Sequence, residues 1–532
     1  MQPYRLTVDK FLDHAAKWFP DREIVEAEKG HVARRAGYST IRKRSNRLSG
    51  ALVQLGIAPG DRIGTLAWNT QHHLEIYYAA MGAGVVCHTL NPRLMPEQLA
   101  RMIIEAEDRV IAVAANLMPL LGEIAPLCPL LEHVIILDDE VRGGHLEGAQ
   151  LWGYEQLLQT HGSETLWGDV DENAAAGLCY TSGTTGNPKG VLYTHRSNYL
   201  HTLRLLQADA MAISSNDIVL MAVPMFHANG WGIPFSAPAV GARLVLPGRH
   251  TDGASLARLI RNEHVTLAVG VRTVWLGVVD HLNESGGDLP SLERVIIGGS
   301  NCPEGLIRQI EDGLGARVQT SWGMTELSPL GTISPPDAAP HETIGAGRPP
   351  LGLDLKLTDA AGTTLKEQRN GTGHLWVKGA SVVDRYFNAE SDALDEEGYF
   401  DTGDLATIDD DGNVTICGRS KDLIKSGGEW INPAEIEAIV GLDPTVSLVA
   451  VISTPDRKWG ERPLLIVQPR NGEPVDVSRI ISSLRGNVAD WWIPDLFAQV
   501  SKMPLAASGK IDKRQLREDF ETGAIVAERI QA

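Results

Sequence analysis

Short apolar runs alternate with amphipathic stretches along most of the chain. The runs are rich in Val, Ile and Ala, as in Arg62–Ala67, Val110–Ala115 and Ile218–Val223. The stretches between them, such as Leu256–Glu263 and Glu304–Leu314, space their apolar residues as helices do. Because continuous apolar runs are typical of strands buried on both faces, the alternation predicts α/β layers with largely parallel sheets.

The pattern changes after about Gly345, where Gly, Asp and Pro become more frequent and the strands shorter, as at Asp409–Val414. The C-terminal part then reads as a separate unit. Asn432-Pro433 has the composition of a helix start, and Val446–Ile452 and Leu464–Val467 have that of strands. The predicted fold class is therefore α/β: a large N-terminal body of layered α/β subdomains plus a β-rich subdomain, followed by a small α+β domain.

Composition narrows the classes of partner. The chain has 532 residues, and 48 Lys and Arg against 67 Asp and Glu give a formal charge of −19. A surface this acidic repels nucleic acid and anionic lipid, so we expect neither as a partner. The 5 cysteines are scattered and never spaced as CxxC, which indicates neither a disulfide framework nor a zinc cluster. With no signal-peptide pattern at the N-terminus, we expect a cytoplasmic protein.

One stretch, residues 218–242, carries no Lys, Arg, Asp or Glu and is long enough to cross a bilayer. It also contains His227, Asn229 and several prolines and glycines. A buried strand followed by a pocket-lining loop explains this mixture better than a membrane helix does. We therefore expect no integral membrane association.

The most informative segment is YTSGTTGNPKG, residues 180–190. It combines Ser and Thr hydroxyls, glycines and Lys189 directly after an apolar stretch. Glycines allow backbone N–H groups to converge on an anion, hydroxyls add donors and lysine neutralises charge, so the segment predicts a phosphate-binding loop. It is not a Walker A loop, because no Ser or Thr follows the lysine at the magnesium-binding position. A flexible polar surface loop is the alternative, and it does not explain this density of donors.

Four further blocks follow in order: SWGMTE at 321–326, DTGD at 401–404, GRSKD at 418–422 and SGKI at 508–511. With these blocks the chain resembles the adenylate-forming superfamily of acyl-CoA synthetases, adenylation domains and beetle luciferases, over nearly its whole length. The resemblance implies ATP- and Mg²⁺-dependent activation of a carboxylic acid to an acyl-adenylate and pyrophosphate, then transfer to coenzyme A. It also implies an N-terminal adenylating domain, 1–419, and a mobile C-terminal domain, 420–532, with the hinge at Lys421.

The resemblance also implies roles for individual residues at the nucleotide. The β- and γ-phosphates would be held by Thr181, Ser182, Gly183, Thr184, Thr185 and Lys189. The α-phosphate would contact Thr325, and Mg²⁺ would bind Glu326, whose carboxylate suits a hard cation. The adenine would be framed by Gly299, Ser300 and Trp322, with the indole as a stacking face, and the ribose would be held by Asp404 and Arg419.

Two lysines have roles in separate steps by the same resemblance. A lone lysine near a C-terminus is ordinarily solvated surface, but the SGK context makes Lys510 similar to the residue that bridges the acyl carboxylate and the α-phosphate. Lys425 would act in the second half-reaction, with CoA-side contacts from Gly427, Gly428 and Trp430.

The segment PMFHANGW, 224–231, suits an uncharged acyl group, because it lacks the aspartate that pairs with an amino-acid substrate. The resemblance implies that His227 lies near the reacting carboxylate and that Trp231 gates an acyl pocket; the alternative for Trp231 is a core residue. Arg272 stands where relatives commonly have proline. It would either enter the pocket and recognise a second anionic group, or extend to solvent or a surface acid. We also assign Gly298 and Met324 to this pocket.

Runs such as LAWNTQHHLEIYYA and GWGIPFSAP resemble the branch of medium-chain fatty-acid CoA ligases and 3-methylmercaptopropionyl-CoA ligases. The implied substrate is a medium-chain, methylthio- or aryl-alkanoic acid. Two alternatives stay open: an adenylating enzyme that loads a carrier protein or oxidises the adenylate, and a non-catalytic nucleotide-binding relative. A homodimer is one possible assembly, and the sequence does not determine the oligomeric state.

Overall fold

A computed structural model describes residues 1–137, 144–146, 148–181, 188–299, 302, 304–338, 345–427, 429–470, 472, 474–506 and 511–530. In this part of the chain the N-terminal body contains two eight-stranded sheets, each with six parallel central strands and an antiparallel strand at either edge. The first sheet has the spatial order Leu330–Ile333, Arg317–Gly323, Arg294–Gly298, Leu267–Val271, Ile218–Met221, Arg243–Leu246, Glu23–Glu28 and His31–Gly37. The second has the order Gly190–Thr194, Ala175–Tyr180, Val86–Thr89, Arg62–Leu66, Val110–Val113, His133–Ile136, Ala149–Gly153 and Gly144–Leu146.

Helices cover both sheets, and one of them lies between the two. All 12 residues of Gln71–Gly82 are buried, and the helix packs against strands of both sheets. The hydroxyl of Tyr78 donates to the carbonyl of Pro234 at 2.8 Å, and Tyr77 donates to the carbonyl of Met225. This buried helix therefore holds the segment that begins at Met225. The other body helices are Asp9–Trp18, Tyr38–Gln54, Pro96–Ala106, Met118–Ile124, Tyr154–Thr160, His195–Leu205, Ile233–Val240, Gly253–Glu263, Arg272–Ser285 and Glu304–Leu314.

The β-rich subdomain is a four-stranded antiparallel sheet of Leu353–Thr358, Gly371–Gly379, Phe400–Ile408 and Val414–Arg419. The smaller C-terminal domain has a six-stranded sheet of Ile424–Ser426, Glu429–Ile431, Val446–Asp456, Gly460–Pro469, Leu496–Gln499 and Glu528–Arg529. Its helices are Pro433–Val440, Val477–Leu484 and Lys513–Glu521. The predicted fold class is confirmed, and so is the helix start, where the Asn432 side chain caps the backbone N–H of Ala434 at 3.1 Å.

The uncharged stretch 218–242 forms a buried strand, an irregular turn and the short helix Ile233–Val240. Its apolar composition reflects burial against both the strand neighbours and the helix Gln71–Gly82. Among the residues described, no helix combines the length and hydropathy that a bilayer crossing requires.

Candidate active site

The glycine-rich segment leaves the second sheet as a hairpin connection. Strands Ala175–Tyr180 and Gly190–Thr194 pair antiparallel on either side of it. At its base the backbone N–H of Thr181 donates to the carbonyl of Lys189 at 2.9 Å, and the Lys189 N–H donates to the Thr181 hydroxyl at 3.2 Å. The predicted phosphate ligands Ser182, Gly183, Thr184 and Thr185 lie outside the described residues. The described ends of the loop therefore place the Thr181 hydroxyl next to the backbone of Lys189.

A buried carboxylate lies next to this hairpin. Glu326 is 8% exposed, and its Oε1 accepts a hydrogen bond from the hydroxyl of Tyr386 at 2.9 Å. Burial raises the pKa of Glu326, while the Tyr386 hydrogen bond opposes that shift. The ammonium of Lys189 lies 4.6 Å from the Tyr386 ring centroid, so Tyr386 contacts both the lysine of the predicted phosphate loop and the predicted metal ligand.

The same hairpin is joined to the SWGMTE segment through Tyr193. Its buried hydroxyl donates to the carbonyl of Thr325 at 2.7 Å. This bond connects the strand that follows the phosphate loop to the predicted α-phosphate contact. Within the described residues no cluster of three or more His, Cys, Asp and Glu side chains is arranged to hold a metal ion. A single buried carboxylate fits Mg²⁺, because that ion is usually held by one or two carboxylates together with substrate phosphates and water.

Three of the residues predicted at the adenine and ribose, Trp322, Asp404 and Arg419, form one hydrogen-bonded group. Asp404 is 3% exposed, and its Oδ2 accepts from the indole N–H of Trp322 at 2.8 Å. Its Oδ1 lies 2.8 Å from Arg419 Nε, and Arg419 also donates to the carbonyl of Thr402 at 2.8 Å. The indole thus orients the carboxylate, a role in addition to the adenine stacking predicted for Trp322. The Asp404–Arg419 pair follows from strand register, since the two residues are direct partners in the four-stranded sheet.

A cavity of about 220 Å³ lies beside the PMFHANGW segment. Of the predicted acyl-pocket residues, His227 and Trp231 line it. The full lining is Arg93, Ala222, Val223, Pro224, Phe226, His227, Trp231, Thr251, Val271, Thr273 and Val274. The structure therefore brings together apolar walls, two threonine hydroxyls and a guanidinium at one cavity.

The Trp231 indole covers Gly298, which was predicted at the acyl pocket, and Gly299, which was predicted at the adenine. A Cβ at Gly298 would come within 2.9 Å of the indole Cη2, and a Cβ at Gly299 within 3.8 Å of Cζ2. Gly299 also has φ +83°, a conformation that favours glycine. Gly298 is thus adjacent to the indole rather than in the cavity wall, and the predicted neighbour Ser300 lies outside the described residues.

The other two predicted pocket residues lie elsewhere. Met324 packs against a buried cluster that includes Cys179, Val191 and Tyr193 of the hairpin strands. Arg272 is partly buried at the start of the helix Arg272–Ser285 and is not among the cavity-lining residues. Burial lowers the pKa of its guanidinium, and the charge of Glu437, in the C-terminal domain, opposes that shift.

The predicted CoA-side residues lie on a short hairpin of the C-terminal domain. Lys425 is in the strand Ile424–Ser426, and its ammonium lies 5.4 Å from the ring centroid of Trp430, which is 51% exposed. Gly427 has φ +60°, and its N–H donates to the carbonyl of Trp459 at 2.7 Å. Gly428 and the predicted catalytic Lys510 lie outside the described residues. Partial burial lowers the pKa of the predicted hinge residue Lys421.

Several residues of this site were not predicted from the sequence. Arg93 lies at the cavity with its guanidinium carbon 5.8 Å from the Phe226 ring centroid, yet it belongs to the run VCHTLNPRL far away in the chain. Tyr386 was missed because no motif contains it. Thr251 lies beside predicted residues only in space, and Thr273 directly follows the predicted Arg272 but belongs to no motif that indicates its chemistry.

The residues predicted at the nucleotide, the hairpin of the predicted phosphate loop and the cavity beside Trp231 all lie in the N-terminal body, as expected of an enzyme that combines a nucleotide with an organic acid. The family model described as "AMP-binding enzyme" matches residues 12–387, and that described as "AMP-binding enzyme C-terminal domain" matches residues 435–510. The chain belongs to the AMP-binding enzyme family.

Two relatives are similar to this chain over nearly their whole length. A 3-methylmercaptopropionyl-CoA ligase of Ruegeria lacuscaerulensis is 42% identical over 531 residues, 98% of both chains. A medium-chain-fatty-acid–CoA ligase of Ectopseudomonas oleovorans is 42% identical over 529 residues, 98% of this chain and 97% of the relative. The crystal structure of an anthranilate CoA ligase in complex with anthranoyl-AMP shares the fold, with a TM-score of 0.89 at 22% identity and coverage of 98% and 99% of the two chains.

Proposed function

We propose that the chain is an AMP-forming acid–CoA ligase that uses ATP, Mg²⁺ and coenzyme A. The observation that carries the proposal is the Asp404 group, in which one buried carboxylate is oriented by Trp322 and Arg419 at 2.8 Å each. A carboxylate held in this way can accept the two hydroxyls of a ribose. The relatives named as CoA ligases and matched over 97–98% of their length support the same reaction.

The residues act by positioning two anions against each other. Lys189 and the loop hydroxyls would hold the β- and γ-phosphates, and Thr325 would contact the α-phosphate. His227 would orient the acid carboxylate for attack. Glu326 would hold Mg²⁺, which supplies charge neutralisation at the phosphates when it is bound. Bringing a carboxylate to a phosphate costs mutual repulsion, so fixed positive groups contribute most where charge develops.

We propose an acid whose acyl part is small enough for the cavity at Trp231: medium-chain, methylthio- or aryl-alkanoic. The cavity of about 220 Å³ and its apolar wall of Val223, Phe226 and Val271 support this class. The names of the two relatives at 42% identity cover the first two possibilities.

We propose that 1–419 and 420–532 are the adenylating and mobile domains, with Lys421 at the hinge. Lys510 would serve adenylation, and Lys425 with Gly427, Gly428 and Trp430 would serve thioester formation. The short 3₁₀ segment Ser420–Asp422, at the end of the body's last strand, supports a hinge there. A cytoplasmic location is part of the proposal, supported by cysteines that form no disulfide in the structure.

The test is pyrophosphate release from ATP and Mg²⁺ across a panel of short, medium, methylthio, aryl and dicarboxylic acids, with and without CoA. We expect acid-dependent pyrophosphate release and CoA-dependent formation of thioester and AMP. Release stimulated by a carrier protein and not by CoA would contradict CoA as the acceptor. A chain that binds ATP without any acid-dependent release would be a non-catalytic relative.

Lys510→Ala separates the two half-reactions. We expect it to abolish acyl-adenylate formation and to leave thioester formation from supplied acyl-adenylate largely intact. Lys502→Ala, an exposed lysine of the same domain, is the matched control and should change neither step. Equal loss of both steps in Lys510→Ala would refute the assigned role.

A further inference from the structure

The turn that carries Trp231 has an unusual backbone. Five consecutive residues, Ala228 to Gly232, have positive φ, with values of 40°, 47°, 61°, 56° and 75°. Left-handed backbone is strained for residues with a Cβ, and Ala228, Asn229 and Trp231 all have one. Such strain persists only where surrounding contacts over-determine the conformation. The contacts that hold this turn therefore decide where Trp231 and the adjacent His227 lie.

One of those contacts comes from the strand that leads into the phosphate loop. Asn229 is 2% exposed, and its Oδ1 accepts a hydrogen bond from the thiol of Cys179 at 3.4 Å. The sulfur lies 3.1 Å from the hydroxyl of Thr89, which donates to it if the thiol donates to Asn229. Cys179 lies two residues before Thr181, the first residue of the predicted phosphate ligands.

The strand is also shaped to receive the asparagine. A Cβ at Gly177 would lie 2.7 Å from Asn229 Nδ2, closer than non-bonded atoms tolerate. The absence of a side chain at Gly177 therefore provides the space that the amide occupies. Asparagine is also among the residues that best tolerate left-handed backbone. The Asn229 amide, Gly177 and the Cys179 thiol therefore form one closely packed contact. It joins the turn that carries Trp231 to the strand Ala175–Tyr180.

We infer that Asn229 is a positioning residue for adenylation: its buried amide holds the left-handed turn against the phosphate-loop strand and so sets where His227 and Trp231 meet the acid. The inference rests on the proposed function for the identity of the reaction. The predicted α-phosphate contact Thr325 is held separately, because the Tyr193 hydroxyl donates a hydrogen bond to its carbonyl. Loss of the amide should therefore impair use of the acid more than use of ATP.

The experiment compares Asn229→Gly with the wild-type enzyme in acid-dependent pyrophosphate release, titrating acid and ATP separately. Glycine keeps the left-handed backbone and removes only the side chain. We expect kcat/KM for the acid to fall on the order of tenfold, since small misplacements of reacting groups cost this much or more, and KM for ATP to stay within about twofold. Asn370→Gly, the same exchange at an exposed left-handed asparagine (φ 56°), should leave both unchanged.

Gly177→Ala tests the same contact from the strand. Alone it should reproduce the loss in acid use, because its Cβ displaces the amide; added to Asn229→Gly it should cost little more, because the clash is gone. Additive losses, or an equal loss for acid and ATP, would overturn the inference. If Asn229→Gly does not fold, Gly177→Ala and Cys179→Ala, which both keep the asparagine, are measured instead and should impair acid use selectively.

The outcome for Asn229 is separable from that for the proposed function. A wild-type enzyme without acid-dependent pyrophosphate release refutes the function. The same double-mutant cycle, measured on the free energy of unfolding, then still tests the contact: non-additive losses support it and additive losses overturn it.

Discussion

Replacing Trp322 with phenylalanine tests whether its indole acts on the nucleotide through Asp404. The indole N–H donates to the Asp404 carboxylate at 2.8 Å, and its ring lies over Gly331, where a Cβ would come within 2.4 Å of Cε3. Phenylalanine keeps an aromatic ring in this position and removes the N–H. The exchange therefore isolates the hydrogen bond from any stacking on adenine.

The size of the effect follows from the partners of Asp404. A hydrogen bond to a charged group contributes about 1.5–3 kcal/mol. Arg419 Nε remains 2.8 Å from the other carboxylate oxygen and preserves part of the orientation, so we take the lower end of this range. About 1.4 kcal/mol corresponds to a tenfold change in binding. We therefore expect KM for ATP to rise about tenfold in Trp322→Phe.

The assay is pyrophosphate release at saturating acid with ATP and with 2′,3′-dideoxy-ATP, which lacks the hydroxyls that Asp404 would accept. If the indole orients Asp404, the exchange should impair use of ATP about tenfold and use of the dideoxy analogue much less. KM for the acid should stay unchanged. An equal loss with both nucleotides would refute the reasoning, because it would place the effect on the base or on the fold.

Three further predictions concern packing, specificity and pH. Gly298→Ala puts a Cβ 2.9 Å from the Trp231 indole. It should change the acid preference across the panel and leave KM for ATP constant. An unaltered acid preference would contradict the contact. Arg272→Pro removes a guanidinium that is not among the cavity-lining residues; it should leave the acid profile unchanged, and a shift would place the guanidinium in the pocket. Burial lowers the pKa of His73 and of His195 to about 4, so the unfolded chain binds more protons between pH 6.5 and 4 and stability should fall as pH falls through that window. The free energy of unfolding is measured by urea unfolding at several pH values. His195→Gln should reduce the slope of this free energy against pH by up to about 1.4 kcal/mol per pH unit. An unchanged slope would show that His195 is not buried in its neutral form.

The sequence predicted secondary structure well where one short segment contains the whole feature. The hydrophobic pattern indicated the α/β layers, because apolar runs such as Ile218–Val223 must be buried on both faces. It underestimated strand length in the C-terminal domain: the strand predicted at Leu464–Val467 runs over Gly460–Pro469. The additional residues pair along the neighbouring strand, and such pairing is a tertiary property that residue composition does not encode.

The candidate site divides in the same way. By itself the sequence determined which chemical groups are present. The loop glycines and hydroxyls, Lys189 and the DTGD aspartate lie in short motifs whose residue types indicate their chemistry. Only the tertiary structure decided how they act on each other. Trp322 and Asp404 are 82 positions apart in the sequence, and Cys179 and Asn229 are 50 positions apart. A hydrogen bond between residues so far apart depends on sheet register and on the turn that brings the chain back. A short run of residues determines neither the distance nor the direction between two such side chains.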